Sequence, residues 1–241
     1  MEMKRLAGHQ TYLFPYIGYF TIINAADIFI YADCLQYEKK SWMNRNRIIS
    51  EDGSIRYFIV PVKKAAIETP TNEKAISFER DWEAAILNQL GYYKKRAPYY
   101  NDVVDLLQEV FGKKYDNISE LAIASTEQTM RFLGIEKRTY RFSELITNPP
   151  KDLAPDEWGI FACRLFADEG VDTFINAPDG KAFYDVEKYK KNGLNIEFLQ
   201  NNLRSYDQGL EKFADSLSII DVLMFNSVAD VRDMISDYRV L

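Results

Sequence analysis

Three glycines in the second half of the chain each stand between a helical stripe and a short apolar run. Gly134 precedes 135–142, Gly170 precedes 171–175 and Gly193 precedes 194–199. A glycine just past a helix supplies the left-handed cap that other residues adopt only at a cost, and here a strand begins at once. Strands that alternate with helices in this way line up parallel, because each crossover returns the chain to the same end of the sheet. The chain also opens with such a unit. A strand over 4–8 is followed by a helix over 16–26 that starts behind Pro15, then by the run Ile28-Phe29-Ile30-Tyr31-Ala32. That run has no polar alternation and suits a strand covered on both faces. The prediction is an α/β fold with a mainly parallel sheet flanked by helices.

The middle of the chain is helical. A helix is expected over 81–93, and Val103, Leu106, Leu107, Val110 and Phe111 form a second apolar stripe ended by Gly112. Asn117 and Glu120 have the spacing of a capping box for a third helix that runs to Gly134. These helices follow a strand at 56–62, so they form a helical lobe inserted in the middle of the chain. A last apolar helix is expected over 217–236, with Ser218 and Asp221 at its start as an acidic variant of the capping arrangement. No internal repeat or low-complexity tract is present. The stretch 147–155, with Pro149, Pro150 and Pro155, is the best internal boundary. The expectation is one domain over 1–241, with possible sub-lobes 1–146 and 156–241 joined by this proline-rich connection.

At 241 residues the chain can bury a proper core. Its net charge of −6 argues against sequence-independent binding to nucleic acid, which draws its affinity from neutralised phosphates. Cys34 and Cys163 sit in unrelated contexts with no CxxC or Cys/His spacing, so neither zinc nor a disulfide framework is indicated, and no metal site is expected. Residues 1–10 hold no apolar signal core, and no apolar run approaches the roughly 20 residues of a membrane span. The expectation is a soluble, cytosolic protein. G-x-S-x-G, P-loop and G-x-G-x-x-G patterns are absent.

Side chains able to carry chemistry concentrate in the first forty-seven residues, just past the short apolar runs, where an α/β sheet presents groups to a ligand. His9 is the single histidine. At a strand end it could serve as a general base or polarise a carbonyl; the alternative is a hydrogen bond to the following turn. Asp33, also at a strand end, could orient an amine or hydroxyl. Asp27 suits a structural pairing. Arg45 and Arg47 suit bidentate contact with phosphate, Asn44 and Asn46 add directional bonds, and Trp42 offers a stacking face. Were this segment a strand, the two arginines would share one side and the two asparagines the other. The segment 34–48 shows no sustained period and is expected to be a functional or interface loop; the alternative to ligand contact is a solvated basic loop or an internal salt-bridge hub. Gln10, Tyr12, Gln36, Tyr37, Tyr206 and Gln208 could orient a sugar or an amide, and the last four could equally be buried hydrogen-bond partners. Residues 176–180 with Tyr184 are expected to form the opposite wall of the cleft. Asn226, polar in an apolar helix, is a candidate for fixing the first loop, and Cys34 reads as a small buried residue rather than a nucleophile.

The pattern His9-Gln10-x-Tyr12-Leu13-Phe14-Pro15-x-x-Gly18-Tyr19-Phe20 is followed by Ala26-Asp27, Gln36-Tyr37 and Trp42-x-Asn44-Arg45-Asn46-Arg47. With Val60-Pro61-Val62, Ala97-Pro98-Tyr99-Tyr100, Phe183-Tyr184-Asp185, Tyr206-x-Gln208 and the segment 217–226, it resembles the WbqC-like protein family over nearly the whole chain. Members are often encoded in bacterial O-antigen and surface-polysaccharide clusters. The resemblance implies transfer of an acyl or aminoacyl group, such as glycine, onto a nucleotide-linked amino sugar. His9 and Asp33 would be catalytic and the remaining polar residues of the segment would bind substrate. The resemblance leaves the cofactor open, ATP and Mg²⁺ included, and the competing expectation is a glycan-pathway protein that binds without chemistry. Two positions depart from the family pattern. Thr11 stands where relatives often have Pro, and Ile86 where a His usually follows the tryptophan of the middle helix.

Overall fold

A computed structural model describes residues 4–146 and 153–241, which run in the order β1 (Lys4–Gln10), α1 (Ile17–Ala25), β2 (Ile28–Ala32), β3 (Arg45–Ile49) and β4 (Ile55–Ile59). Helices α2 (Trp82–Asn88), α3 (Gly91–Lys94), α4 (Tyr100–Phe111) and α5 (Ile118–Phe132) follow, then β5 (Arg138–Arg141), α6 (Phe142–Leu145) and α7 (Pro155–Arg164). The chain closes with β6 (Val171–Asn176), α8 (Val186–Lys191), β7 (Asn195–Asn201), α9 (Ile219–Phe225), α10 (Val228–Ser236) and β8 (Tyr238–Val240).

Six strands form one sheet in the order β5-β2-β1-β6-β7-β8. All neighbours are parallel except the last pair, β7 with β8. The glycines expected to cap the joints take the required conformation, with φ of +64° at Gly134, +85° at Gly170 and +71° at Gly193. From β1 the sheet grows outward through β2 to β5. The chain then returns to the other side of β1 and grows through β6 to β7, so the winding reverses between β1 and β6. Loops leaving two such strands depart to opposite faces and leave a crevice at the carboxyl ends.

Alternation along the strands feeds two cores. Ala7, Phe29, Tyr31 and Ile175 point to a large core shared with α1, α4, α5, α9 and α10. Leu6, Ile28, Ile30 and Phe174 point to a smaller one closed by Ile160, Ala162 and Cys163 of α7 and Tyr189 of α8. Covering both faces accounts for the unbroken apolar reading of β2.

Several boundaries differ from expectation. The loop expected over 34–48 contains β3, which pairs with β4 in an antiparallel hairpin. Its turn is held by Asp52, whose carboxylate accepts from the Ser54 amide at 3.0 Å, and by Gly53 at φ +81°. Alternation is present along β3 and the residue before it but hidden, because two inward positions are not apolar: Asn44 and Asn46 are buried, while Arg45 and Arg47 lie on the half-exposed side. The strand expected over 56–62 ends at Ile59, and the one over 135–142 shortens to β5. The helix expected over 81–93 is two short ones. The last helix breaks at Asn226 because Ser227 caps α10, its hydroxyl accepting from the Asp230 amide at 3.2 Å. Asn117 caps α5 as expected, its side chain accepting from the Glu120 amide at 2.9 Å. Most of the proline-rich connection, 147–152, lies outside the described residues. Among the described residues no helix is long and apolar enough to cross a membrane.

Candidate functional site

The crevice is shaped by the turn that follows β1. Phe14 adopts φ +40°, a left-handed conformation that costs a side-chain-bearing residue of order 1–3 kcal/mol and persists only where its surroundings hold it. Three separate elements do so. The Ser125 hydroxyl accepts from the Phe14 amide at 3.0 Å, while Asn46 Nδ2 and Ser218 Oγ donate to its carbonyl oxygen at 2.9 and 2.7 Å. Asn46 also donates to the Leu13 carbonyl at 3.1 Å, and the Leu13 amide donates to the Trp42 carbonyl at 3.0 Å. The turn thereby brings Tyr12 and Tyr16 over the end of β1 and brings β3 alongside.

Across the gap, the chain leaving β6 supplies Asn176, Ala177, Asp179 and Gly180, followed by Phe183 and Tyr184. Between the two sides lies a cleft of about 600 Å³, within the usual range for a small-molecule site. His9, Gln10, Tyr12, Pro15, Tyr16, Trp42, Asn46, Arg47 and Ser216 complete its lining.

His9 stands at the centre of the aromatic wall. Its ring lies edge-on to Tyr12 at 5.0 Å and to Tyr19 at 5.1 Å between centroids. Burial among these rings holds the imidazole pKa at about 4, well below its ordinary 6.5, with only a weak opposing contribution from the Gln10 carbonyl. The ring is therefore neutral near pH 7. Nδ1 faces that carbonyl at 3.4 Å, which favours a proton on Nδ1 and a lone pair on Nε2. Tyr12 donates to Gln10 Oε1 at 3.0 Å, and burial, then Glu38, raises its phenol to about 12, so it remains a donor. Tyr184 stacks on Phe174, and its phenol is likewise raised to about 12 by burial. Arg47 donates to the Ser216 carbonyl at 2.7 Å, with its guanidinium 5.5 Å from the centre of the Trp42 ring.

Of the residues expected at the site, His9, Gln10, Tyr12, Trp42, Asn46, Arg47 and Tyr184 converge on this cleft, although Asn46 spends its amide on the turn. The others do not line it. Asp33 accepts from the Ser143 amide at 3.0 Å and from the Ser143 hydroxyl at 2.5 Å, capping α6 rather than backing His9. Arg45 extends one step further along the strand, donates to the Lys40 carbonyl and covers the Tyr57 ring at 4.2 Å. Asn44 accepts from Tyr37 Oη at 3.0 Å and donates to the Val60 carbonyl at 2.8 Å, so both are spent on loop closure. Gln36 is exposed and donates to the Ile67 carbonyl at 3.0 Å. Tyr206 and Gln208 instead donate to the buried carboxylate of Asp221, at 2.6 and 2.7 Å. Asp221 lies in the first turn of α9 as expected, but its carboxylate is taken up by these donors rather than by the helix start. Ser218 caps α9 alone, accepting from the Ile220 amide at 3.3 Å. Asn226 donates to Val222 within its own helix, and Ser218 holds the first loop in its place.

Asp27 pairs structurally, accepting from the Arg5 amide at 2.8 Å. Ile86 is buried in the core of the helical lobe, and Thr11 is buried beside Ser119. The Cys34 thiol is raised to about 11, by burial first and then by Asp33, which leaves it protonated near neutrality.

The sequence places Tyr16 in the first helix, yet it stands outside α1, at its N-cap, as a wall of the cleft. The glycine two residues on is the signal for this. A β-carbon on Gly18 would lie 2.4–2.7 Å from the ring and phenol oxygen of Tyr16, which pack against the bare glycine. Gly18→Ala is expected to swing Tyr16 into the cleft and weaken ligand affinity several-fold, while the better helix former keeps stability within about 1 kcal/mol. Titration calorimetry beside a thermal melt checks both.

A protein of Mycobacterium tuberculosis, itself described as uncharacterized, is 26% identical over 234 residues, covering 96% of this chain and 97% of that one. No solved structure matches. The WbqC-like protein family matches residues 10–233, a span that takes in the cleft lining except His9, which lies one residue before it, and the chain belongs to that family.

Proposed function

We propose that the cleft binds a nucleotide-linked amino sugar and that the protein transfers an acyl or aminoacyl group from an activated donor to the sugar's amine. The reading rests above all on His9 and Arg47 lining one hollow at the reversal of strand winding. Arg47 offers charge-assisted hydrogen bonds to a phosphate, and the rings of Tyr12, Trp42 and Tyr184 offer flat faces to a sugar or base. The amine nitrogen attacks the acyl carbon, a C–N bond forms, and the bond to the leaving group breaks. The nitrogen's proton passes to Nε2 of His9 and then to the leaving group. An imidazole held near pKa 4 is a weak base, suited to receive that proton only once the forming bond has made the nitrogen acidic, and it then surrenders the proton readily.

Arg47→Ala is expected to weaken uridine diphosphate binding about 10- to 100-fold, the worth of a charge-assisted pair. His9→Ala is expected to abolish product formation from a sugar nucleotide and an activated acyl donor, with the melting temperature of the apo protein little changed. Unimpaired turnover in His9→Ala would overturn the mechanism.

A second reading, binding without chemistry, is favoured by the engagement of Asp33 with Ser143, which leaves His9 without that carboxylate behind it. Tight nucleotide binding with no acylated product across a donor panel would support it.

A further inference from the structure

A second cavity, of about 300 Å³, adjoins the cleft, and the two share His9, Gln10, Asn176 and Tyr184. Its other walls differ in chemistry from those of the cleft: Ala32, Leu35, Leu153, Pro155 and Trp158, all apolar but for one indole nitrogen, together with the backbone of Gly8. Strand alternation accounts for the division. Ala7 and His9 point to the side of α1, where the polar cleft lies, while Leu6 and Gly8 point to the side of α7. Gly8 is obligatory there, since a β-carbon would lie 2.3 Å from the Trp158 ring. The end of β1 is therefore a rim with a polar chamber on one side and an apolar chamber on the other, and His9 belongs to both.

We propose that the apolar chamber is a second ligand subsite that takes a short acyl chain, the apolar part of the donor whose reacting end meets the first ligand at His9. The inference rests on the two-substrate reading of the cleft. At roughly 30 Å³ per non-hydrogen atom, as in liquid water, the chamber holds about ten such atoms. Octanoate has that number. Hydrophobic burial predicts affinity rising about three- to fourfold per methylene along butanoate, hexanoate and octanoate, with no further gain for decanoate once the space is full.

The test measures fatty-acid and uridine diphosphate binding separately on the full chain by calorimetry. Leu35→Trp, which fills the chamber, is expected to weaken octanoate at least tenfold and leave uridine diphosphate unchanged. Arg47→Ala is expected to do the reverse. Leu153→Trp, from another wall, repeats the first arm should Leu35→Trp fail to fold. A flat response to chain length, octanoate binding that survives both tryptophans, or displacement of octanoate by uridine diphosphate would overturn the subsite. Octanoate binding without nucleotide binding would instead overturn the reading of the main cleft and leave the chamber standing.

Discussion

Asp221→Ala is expected to destabilise the protein by about 3–5 kcal/mol, the largest effect of any single polar substitution proposed for this chain. The carboxylate is fully buried and accepts from Tyr93 Oη at 2.8 Å, Tyr206 Oη at 2.6 Å and Gln208 Nε2 at 2.7 Å. Burial pushes its carboxyl above the ordinary range, and the three donors pull in the opposite direction. Alanine would strand all three donors away from water, and each would have to find a partner or bear its desolvation cost. The damage would spread. Tyr93 Oη also accepts from the Ile49 amide at 2.9 Å, and Gln208 closes the following loop through its bonds with the Ala214 amide and carbonyl, at 2.8 and 3.0 Å. That loop carries Ser216, whose carbonyl oxygen steadies Arg47 in the cleft. Urea unfolding measures the first effect, and nucleotide affinity under native conditions measures the second. Asp221→Asn, which keeps one acceptor oxygen, is expected to lose less. A midpoint shift worth under about 0.5 kcal/mol in Asp221→Ala would show the network to be dispensable.

The same network marks where reading from sequence stops. Tyr206 and Gln208 carry side chains equally fit for a sugar or for a buried carboxylate, and the residue that decides between them lies up to fifteen positions away on α9. Asp33 is a parallel case. The carboxyl end of a strand is where catalytic groups stand, but it is also where a helix start can need a cap, and the Ser143 amide that uses Asp33 is 110 residues distant. Parity along a strand was legible for the basic pair. Arg45 and Arg47 do share a side, yet two residues span about 6.6–6.8 Å, so the cleft takes one guanidinium and the hairpin surface takes the other. Local grammar carried the architecture further. Left-handed glycines and unbroken apolar runs depend on nearest neighbours, so the alternation of helices with parallel strands was readable. The β3–β4 hairpin was missed in part, because burying asparagines erased the hydrophobic period. The convergence of His9, Arg47 and Tyr184 needed the reversal of winding between β1 and β6, which only the strand order reveals.

His9 offers the sharpest measurement, since no other histidine complicates it. Its imidazole proton resonances are expected to titrate near pH 4, against about 6.5 in the unfolded chain. The sign of the linked stability follows from proton counting. Between about pH 4 and 6.5 the unfolded chain holds a proton on this ring and the native protein does not, so native stability rises with pH across that window. Above 6.5 both states are neutral and the contribution is constant; acidification from 6.5 to 4 costs the native state about 2–3 kcal/mol from this one group. His9→Gln removes the ring, so its stability is expected to fall less steeply than that of the native sequence as pH drops from 6.5 to 4, the carboxylates being common to both. The binding reading adds a second expectation. A phosphate held by Arg47 places negative charge in the cleft that His9 lines, and opposite charge favours the protonated ring. Uridine diphosphate should therefore move the titration upward from 4, and the same coupling should tighten nucleotide binding as the pH is lowered toward that value. A resonance that titrates at 6.5 with or without nucleotide would mean that the ring faces open water, and the desolvated cleft on which the transfer mechanism depends would be lost with it.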